Sequence, residues 1–568
     1  MQAVVFTVAD YLLARLKQLD VTEVFQIPGD YVKHFTQALE RFPGIATIGA
    51  ANELDAAYAA DAYGRTRGLG AVSLQYGVST FSALNAIAGA YVERSPVIVI
   101  SASPGADARN ITDMYGVTFH HSTGDLHADQ NVFENVTVAA RTLSTNVGAA
   151  EAIDDLIVEA LTHSRPVYIA CYKEVWGQPC PRPPRTPLKA RELKGPPDAL
   201  QNAVEQAWSM ITAAKKPVIL AGEEVLRFGL CGLLQQIIDA SGFVYTTTSL
   251  GKTVLDEGGP KFLGTYSDEA AIPSVIDAVL DADCVLCLGT LITDDYLIFI
   301  EKQYANMVLA TAQGARAGYF KYPDVVMKEF MQALLAKFKG SKAYPGKAVA
   351  PPQPAYPEPW KSNSDPKFDA QPEVITFNRF FQHSMNFLAE AGHLDEIVMP
   401  LGVSSSMYVA TNAYGMRQGS FIASAAWQCV GFETGAASGA QLGSRKRAWA
   451  VAGDGGVMMV CQAISTLAKY KLNGVIFVMS NQVYAIEQVY VDMSAFQTGQ
   501  FDTFDILPHW NYLALAQAYG AEGFRLETVS DLKAALPQIW KVKDRPVLVE
   551  VVIPATDLAG QMKRLGSE

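Results

Sequence analysis

The segment Gly453, Asp454, Gly455 and Gly456 restricts the fold of this chain more than any other. Residues 447–452 before it have the apolar pattern of a buried strand, and residues 457–470 after it have the pattern of a helix. Glycines let the backbone approach an anion closely, and the N–H groups at a helix start favour a phosphate there. Taken alone, such a turn also fits an ordinary strand-to-helix connection.

A second apolar run at residues 474–479 predicts another buried strand, and Asn481 stands just past its end. Twenty-five residues separate Asn481 from the Gly453-Asp454-Gly455 triplet. A hard cation takes oxygen ligands, which the Asp454 carboxylate, the Asn481 amide and a nearby main-chain carbonyl would supply. Parallel sheets bind cofactors at the carboxyl ends of their strands. The spacing therefore predicts a site for Mg and a diphosphate.

Two proline-rich breaks, at residues 179–197 and 344–372, divide the chain. They predict three domains, at residues 1–182, 198–341 and 373–568. Short apolar runs alternate with helical patterns in each domain, which is typical of an α/β fold with a parallel sheet covered by helices. The clearest of these runs are residues 71–74, 97–101, 217–221 and 284–288. The first and third domains could share one architecture without visible sequence similarity.

Composition indicates which kinds of molecule the protein binds. The chain has 568 residues, a net charge of -12 and no basic run, which argues against nucleic acid or an anionic membrane. No stretch reaches eighteen apolar residues, and the seven cysteines are scattered, so we expect a cytoplasmic protein that acts on small molecules. Cys284 and Cys287 supply only half of a zinc site.

Together, the Gly453-Asp454-Gly455 triplet, Asn481 and residues 484–487 resemble the thiamine diphosphate motif of 2-oxo acid decarboxylases, and the resemblance covers nearly the whole chain. It implies the three-domain thiamine diphosphate-binding fold and both thiamine diphosphate and Mg as cofactors. The implied metal ligands are Asp454, Asn481 and the carbonyl of Val483. The implied cofactor-binding residues are Glu53, Val403, Val430, Gly453, Asp454, Gly455, Gly456, Asn481 and Ile486, with Val430 as the apolar wedge under the thiazolium ring.

The resemblance also assigns roles to residues that are ambiguous alone. Glu53 enters an alanine-rich helix, where an acidic residue could simply favour the helix start. In the family, the glutamate at this place hydrogen-bonds the aminopyrimidine ring and promotes proton removal from the thiazolium. Asp30, His120 and His121 are similar to the pyruvate decarboxylase branch, which implies proton carriers, although paired histidines also occur in solvated loops. Glu487 completes the implied catalytic set.

Three functions remain open at this stage. The resemblance implies nonoxidative decarboxylation of a 2-oxo acid to an aldehyde and CO2. A carboligase or synthase of the same cofactor class and a catalytically silent relative are the alternatives. Since Glu53 and the histidines come from one subunit in the family and Asp454 and Glu487 from another, the resemblance implies at least a homodimer, and a homotetramer is expected.

Departures from the family pattern bear on the substrate. Val483 replaces the usual glycine of the motif, and it would be strained if its backbone needed positive φ. Leu401 is apolar where a polar side chain often faces the substrate, and with Ile486, Tyr490 and the segment around residues 558–562 it favours a branched, long-chain or aromatic acid. The family's regulatory cysteine has no counterpart in residues 221–225, so substrate activation through it is not expected.

Overall fold

The computed structural model describes residues 5–341 and 363–566, and most of the second proline-rich break lies outside these ranges. Three sheets, each flanked by helices, organise the described chain. The predicted α/β fold is therefore confirmed. Residues 179–196 contain no helix or strand beyond an isolated bridge, as their prolines predict. The sheets lie within the three predicted domain ranges, whose limits stay a prediction.

The first sheet has six parallel strands in the order β2-β1-β3-β4-β6-β5. Its strands are β1 Glu23–Gln26, β2 Ala46–Gly49, β3 Gly70–Ser73, β4 Val97–Ser103, β5 Ala140–Leu143 and β6 Val167–Tyr172. Its helices are α1 Val8–Gln18, α2 Lys33–Arg41, α3 Glu53–Arg67, α4 Val78–Ser82, α5 Leu84–Val92, α6 Ala106–Tyr115, α7 Ala128–Phe133 and α8 Ala149–His163. The chain reverses its direction of travel across the sheet between β1 and β3, which is where open α/β sheets bind ligands.

The second sheet is mixed, whereas the sequence predicted a parallel one. Strands β7 to β11 are parallel, and β12 and β13 add an antiparallel edge. Short connections between β11, β12 and β13 permit only antiparallel pairing. The strands are β7 Pro217–Ala221, β8 Val244–Thr247, β9 Phe262–Thr265, β10 Cys284–Leu288, β11 Met307–Thr311, β12 Gly314–Ala317 and β13 Phe320–Tyr322. The helices are α9 Pro197–Ala213, α10 Glu223–Arg227, α11 Cys231–Ser241, α12 Pro273–Leu280, α13 Leu297–Gln303 and α14 Met327–Gly340.

The third sheet repeats the strand order of the first, as β15-β14-β16-β17-β19-β18, and is again parallel. The shared architecture of the outer domains is thus confirmed. The strands are β14 Ile397–Leu401, β15 Phe421–Ala423, β16 Arg447–Gly453, β17 Val475–Ser480, β18 Glu522–Leu526 and β19 Val547–Val552. The helices are α15 Phe377–Glu390, α16 Ser405–Ala410, α17 Phe432–Ser444, α18 Asp454–Val460, α19 Ala463–Lys469, α20 Ala485–Val491, α21 Ala495–Thr498, α22 Tyr512–Tyr519, α23 Val529–Lys541 and α24 Gly560–Leu565.

The helix expected at residues 457–470 differs from prediction in two ways. It begins earlier, because Asp454, Gly455 and Gly456 already belong to its first turn. It is also divided into α18 and α19, since the N–H groups of Ile464 and Ser465 bond to carbonyls three residues back and tighten the turn between them. Among the described residues, no helix combines the length and apolarity needed to span a bilayer.

The first and third domains meet where α3 runs beside α17. Side chains of ordinary size would not fit between these helices. A Cβ at Gly439 would lie 1.8 Å from the carbonyl oxygen of Ala59, and one at Gly443 would lie 2.2 Å from Thr66 Oγ1. Glycine at these positions lets the two backbones touch, which fixes how the domains sit on each other.

We expect Gly439→Ala to destabilise the protein by about 1 to 3 kcal/mol, because the added methyl group overlaps the backbone of α3. Thermal or denaturant unfolding measures the change. Gly232→Ala is the matched control. Gly232 also lies in a helix, but unlike Gly439 it is exposed and has open space around its Cβ position. An unfolding midpoint for Gly439→Ala equal to that of the control would contradict the tight packing described here.

Candidate active site

A cleft lies at the carboxyl ends of β14, β16 and β17 in the third domain. Because β14 and β16 flank the point where the chain reverses its travel across the sheet, this is the expected ligand position of the fold. The cleft is lined by Phe377, Val403, Ser404, Ser405, Ser406, Val430, Gly453, Asp454, Gly455, Gly456, Met479, Asn481, Val483, Tyr484, Ala485, Ile486 and Glu487. The structure thus brings together most of the third-domain residues that the sequence singled out.

Asp454 is the acidic centre of this cleft. It follows β16 directly and is 3% exposed. Its carboxylate accepts hydrogen bonds from the N–H groups of Gly455, at 3.0 Å, and Gln482, at 2.6 Å. Burial raises the pKa of Asp454 to about 6, although these N–H donors act in the opposite direction. A buried carboxylate of this kind is stabilised by a cation, and its oxygens have lone pairs left to bind one.

Asn481 and Val483 lie beside Asp454, after β17. Val483 forms an antiparallel bridge with Ile506, but its two hydrogen bonds are made by flanking residues, from Tyr484 N–H and Leu507 N–H. In such a pair the central residue turns its own carbonyl to the other side. The Val483 carbonyl therefore points away from Ile506 and can serve as an oxygen ligand together with the Asp454 carboxylate and the Asn481 amide.

The strain considered for Val483 is absent. Positive φ does occur in this segment, but at Gln482, with φ of 62°. Gln482 is not β-branched and tolerates the left-handed region better than valine would. The condition for strain at Val483 is therefore not met, and a valine fits here because its neighbour makes the turn.

Val403 and Val430 form the apolar wall of the cleft. The Val403 N–H donates to the carbonyl of Cys429, at 3.3 Å, which ties the loop after β14 to the segment before α17. That segment is in turn held by the first domain, since the buried Glu93 carboxylate accepts from the N–H groups of Ala426 and Trp427, each at 2.8 Å. The position of Val430 thus depends on both domains.

Glu53 opens α3 in the first domain, after β2. The Ser79 hydroxyl donates to Glu53 Oε1 at 2.8 Å, which orients the carboxylate. The helix start itself is fixed by Asn52, whose side chain accepts from the Asp55 N–H at 2.9 Å. Glu53 is therefore a positioned, partly accessible carboxylate rather than a freely rotating surface group.

Asp30, His120 and His121 form one cluster, with a ligand atom of each within 4.8 Å of the others. His120 Nε2 lies 3.4 Å from Asp30 Oδ2, and Gln75 donates to Asp30 Oδ1 at 2.8 Å. His121 has φ of 68°, and the Tyr76 hydroxyl donates to the His120 carbonyl. A loop held in this way keeps the two imidazoles beside the carboxylate, an arrangement that can move protons near neutral pH.

Only some of the residues predicted to contact the substrate line the cleft. Ile486 and Glu487 line the cleft from the first turn of α20. Tyr490 lies on the same helix, is 55% exposed and is not among the lining residues. Leu401 is fully buried in the apolar core at the end of β14 and is not part of the cleft wall either. Its effect on a substrate would therefore act through packing.

The described residues that line the cleft all belong to the third domain. Asp30, Glu53, His120 and His121 lie on the first domain and do not contribute to its wall. Their position in the first domain is nevertheless equivalent to that of the cleft in the third domain. They follow β1 and β2 or face the loop after β3, at the carboxyl end of a sheet with the same strand order. Each domain thus presents one half of a potential site.

Comparison with known proteins identifies the family to which this chain belongs. Residues 6–134 match the thiamine pyrophosphate enzyme N-terminal TPP binding domain, residues 204–336 the central domain and residues 402–551 the C-terminal TPP binding domain. The chain is 30% identical to an alpha-keto-acid decarboxylase of Mycobacterium leprae, over 99% of this chain and 95% of the relative. The chain belongs to the thiamine diphosphate-dependent 2-oxo acid decarboxylase family.

Other members of this family are similar over the same length. The pyruvate decarboxylase of Kluyveromyces lactis is 29% identical over 97% of this chain and 96% of the relative. The pyruvate decarboxylase of Aspergillus fumigatus is 28% identical over 98% of this chain and 95% of the relative. The resemblance inferred from the sequence motifs is therefore confirmed along nearly the whole chain.

Several residues around the candidate site were missed from the sequence. Ser79 and Gln75 orient Glu53 and Asp30, and Ser404 lines the cleft with its two following serines. Gln75 and Ser404 come within three residues of the end of a parallel strand, a signal that could have identified them. Glu433 was missed as well, although it is an acidic residue among the small and apolar residues that begin α17.

We expect Asp454→Asn to lower the affinity for thiamine diphosphate by on the order of 100-fold at saturating Mg²⁺, because a charged oxygen ligand is lost. Titration of the cofactor into cofactor-free protein, followed by calorimetry or tryptophan fluorescence, gives the affinity. Asp544→Asn serves as control, since Asp544 is exposed and precedes β19 at the opposite end of the sheet. Equal affinities for the two variants would remove Asp454 from the cofactor site.

Proposed function

We propose that this protein catalyses the nonoxidative decarboxylation of a 2-oxo acid to an aldehyde and CO2, with thiamine diphosphate and Mg²⁺ bound in the third-domain cleft. The observation that carries the proposal is the buried Asp454 carboxylate beside Asn481 and Val483, all three among the residues that line the cleft. Membership of the decarboxylase family supports the same reaction.

The residues of the cleft fit such a cofactor. Asp454, Asn481 and Val483 offer three oxygen ligands of the kind that Mg²⁺ prefers. Gly455 and Gly456 lie in the first turn of α18, where backbone N–H groups favour a bound phosphate. A diphosphate bridged by the metal would be held by both features. When bound, thiamine diphosphate supplies an electron sink that takes the electron pair left by departing CO2.

The protein's own side chains would handle protons and exclude water. Glu53, whose carboxylate accepts a hydrogen bond from Ser79, would share a proton with a nitrogen heterocycle. Asp30, His120 and His121 form a group that can deliver a proton to the product. The apolar wall that includes Val430 and Ile486 disfavours a bound carboxylate, and its loss as neutral CO2 is favoured there.

The walls of the cleft support a branched, long-chain or aromatic 2-oxo acid as substrate. Val403, Val430, Met479, Val483 and Ile486 give it an apolar lining. Each additional buried methylene group on a substrate is worth about 1 to 3 kcal/mol of discrimination in such a pocket. Of the predicted substrate residues, Ile486 is the one that lines the cleft, and Tyr490 lies on the same helix further from it.

A homodimer is proposed as the smallest active unit. The cleft contains only third-domain residues in the described chain, while Asp30 and His120 are more than half exposed on the first domain. A second copy could cover both. Large apolar side chains are exposed on and beside the elements that form the cleft, as a subunit interface requires. These are Met459, Tyr490, Val491, Phe504 and Ile506. A homotetramer of two such dimers stays a prediction.

We expect purified protein with thiamine diphosphate and Mg²⁺ to release aldehyde from branched-chain, long linear or aromatic 2-oxo acids faster than from pyruvate. A coupled alcohol dehydrogenase assay across pyruvate, branched-chain acids, phenylpyruvate, indolepyruvate and benzoylformate gives the ranking. Glu53→Gln should lower kcat by at least about 100-fold, because general acid-base catalysis at this carboxylate is lost.

Glu151→Gln, at an exposed glutamate in the first turn of α8, should keep full activity and so controls for nonspecific effects. Carbon-carbon bond formation that outruns aldehyde release would favour the carboligase alternative. A protein that binds the cofactor and converts none of the acids would favour the silent relative.

Mixing two inactive variants tests the dimer directly. If one site combines Glu53 of one chain with Asp454 of another, a Glu53→Gln and Asp454→Asn heterodimer has one intact site. Random pairing after coexpression then restores about a quarter of wild-type activity. Separately purified variants that are not allowed to exchange subunits give the baseline. If each chain carries a complete site, the coexpressed mixture stays as inactive as the single variants.

A further inference from the structure

Glu433 is a buried acid that the reaction described above does not use. It lies in the first turn of α17 and is 1% exposed. Among the described residues, neither of its carboxyl oxygens has a hydrogen-bond partner. Leaving a buried carboxyl unpaired costs free energy, which is typical of a residue kept for function rather than for stability.

The Glu433 carboxyl occupies the space between two glycines of the cofactor cleft. A Cβ at Gly402 would lie 1.8 Å from Oε2, and a Cβ at Gly456 would lie 2.2 Å from Oε1. Gly402 directly precedes Val403, which lines the cleft, and Gly456 lines it as part of the glycine turn. The carboxyl thus stands behind both segments that would surround a diphosphate, and each is glycine where the carboxyl comes closest.

No basic group faces this carboxyl within the described chain. The N–H groups of Glu433 itself, Gly402 and Gly431 lie near the carboxyl and favour its ionisation without forming well-aligned hydrogen bonds, but burial outweighs them and raises the pKa of Glu433 to about 8. Tyr58, Cys429 and Asp454, on elements packed against it, are acids, and the basic Arg65 of α3, which lies over the neighbouring Phe432 ring, is paired with Asp61 and Glu93. Burial raises the pKa of Tyr58, on α3, far above its usual value. It also raises the pKa of Cys429, before α17, to about 12 and the pKa of Asp454, on α18, to about 6.

We propose that Glu433 is a positioning residue of the cofactor site that works as a neutral acid, so that thiamine diphosphate binding is linked to a proton on its carboxyl. This inference rests on the proposed function. A neutral carboxyl fills the space behind Gly402 and Gly456 and keeps both segments in place. An ionised one would put an uncompensated negative charge behind a diphosphate, and the two anions repel each other in a buried site.

The test compares cofactor affinity as a function of pH. Wild-type protein and Glu433→Gln are titrated with thiamine diphosphate at saturating Mg²⁺ from pH 6.5 to pH 9. Titration of the cofactor itself affects both proteins alike and cancels in the ratio of their dissociation constants. We expect a ratio near one at pH 6.5 that rises to about tenfold, weaker for wild type, at pH 9, since only the neutral form binds well.

Glu223→Gln is the matched control. Glu223 is equally buried, has no hydrogen-bond partner in the described chain and has its pKa raised to about 8, but it lies against Arg65 and Arg227 away from the cofactor cleft. This variant should keep the wild-type pH profile of cofactor binding. If Glu433→Gln does not give a native circular dichroism spectrum, Glu433→Thr replaces it as a second side chain that cannot ionise.

Cofactor-free protein gives an independent readout. A carboxyl with raised pKa stabilises the folded state fully below its unfolded value near 4.5, and this contribution is lost as pH rises towards 8. The melting temperature of the wild type should therefore fall more steeply than that of Glu433→Gln between these values. Parallel pH profiles of cofactor affinity would overturn the inference, whereas wild-type protein that takes up no cofactor at pH 6.5 would overturn the cofactor assignment itself.

Discussion

The close contact of α3 with α17 sets the relation between the two half-sites that one chain presents. Gly435, Gly439 and Gly443 meet α3 at successive turns, so the helices run side by side in the same direction. One of them begins with Glu53, and the other begins two residues after Val430. Because packed backbones do not slide continuously, this contact places the Glu53 carboxylate and the apolar Val430 on one rigid unit.

The outer domains repeat one strand order yet carry different chemistry at equivalent places. Side chains that follow the strands of the first sheet are the proposed proton carriers, such as Asp30 and Glu53, whereas those of the third are the proposed metal ligands, such as Asp454 and Asn481. Parallel sheets make this division simple, since all strands end at one edge and loops there vary without disturbing the core. A cofactor with a heterocycle at one end and a diphosphate at the other needs both kinds of edge.

Much of the fold followed from the sequence because buried parallel strands are uninterrupted apolar runs. Residues 217–221 and 284–288 became β7 and β10 without change. The antiparallel edge of the second sheet and the division of α18 from α19 were missed, since neither leaves a periodic pattern. For the site, motif spacing pointed to Asp454 and Asn481 and the family resemblance pointed to Glu53, but neither could show that Leu401 is buried or that Gln482 makes the turn. Both depend on three-dimensional packing.

The cleft concentrates groups that weaken the protein when it is empty. Asp454 and Glu433 are both buried acids with raised pKa values, and the flanking positions Gly455 and Gly456 give up side-chain packing. A ligand that brings a cation to Asp454 and fits the glycine turn would offset part of this cost, and by mass action it would stabilise the fold as well as enable the reaction. Stability and cofactor binding are thus coupled through the same few side chains. A site built in this way trades stability of the empty protein for retention of its cofactor.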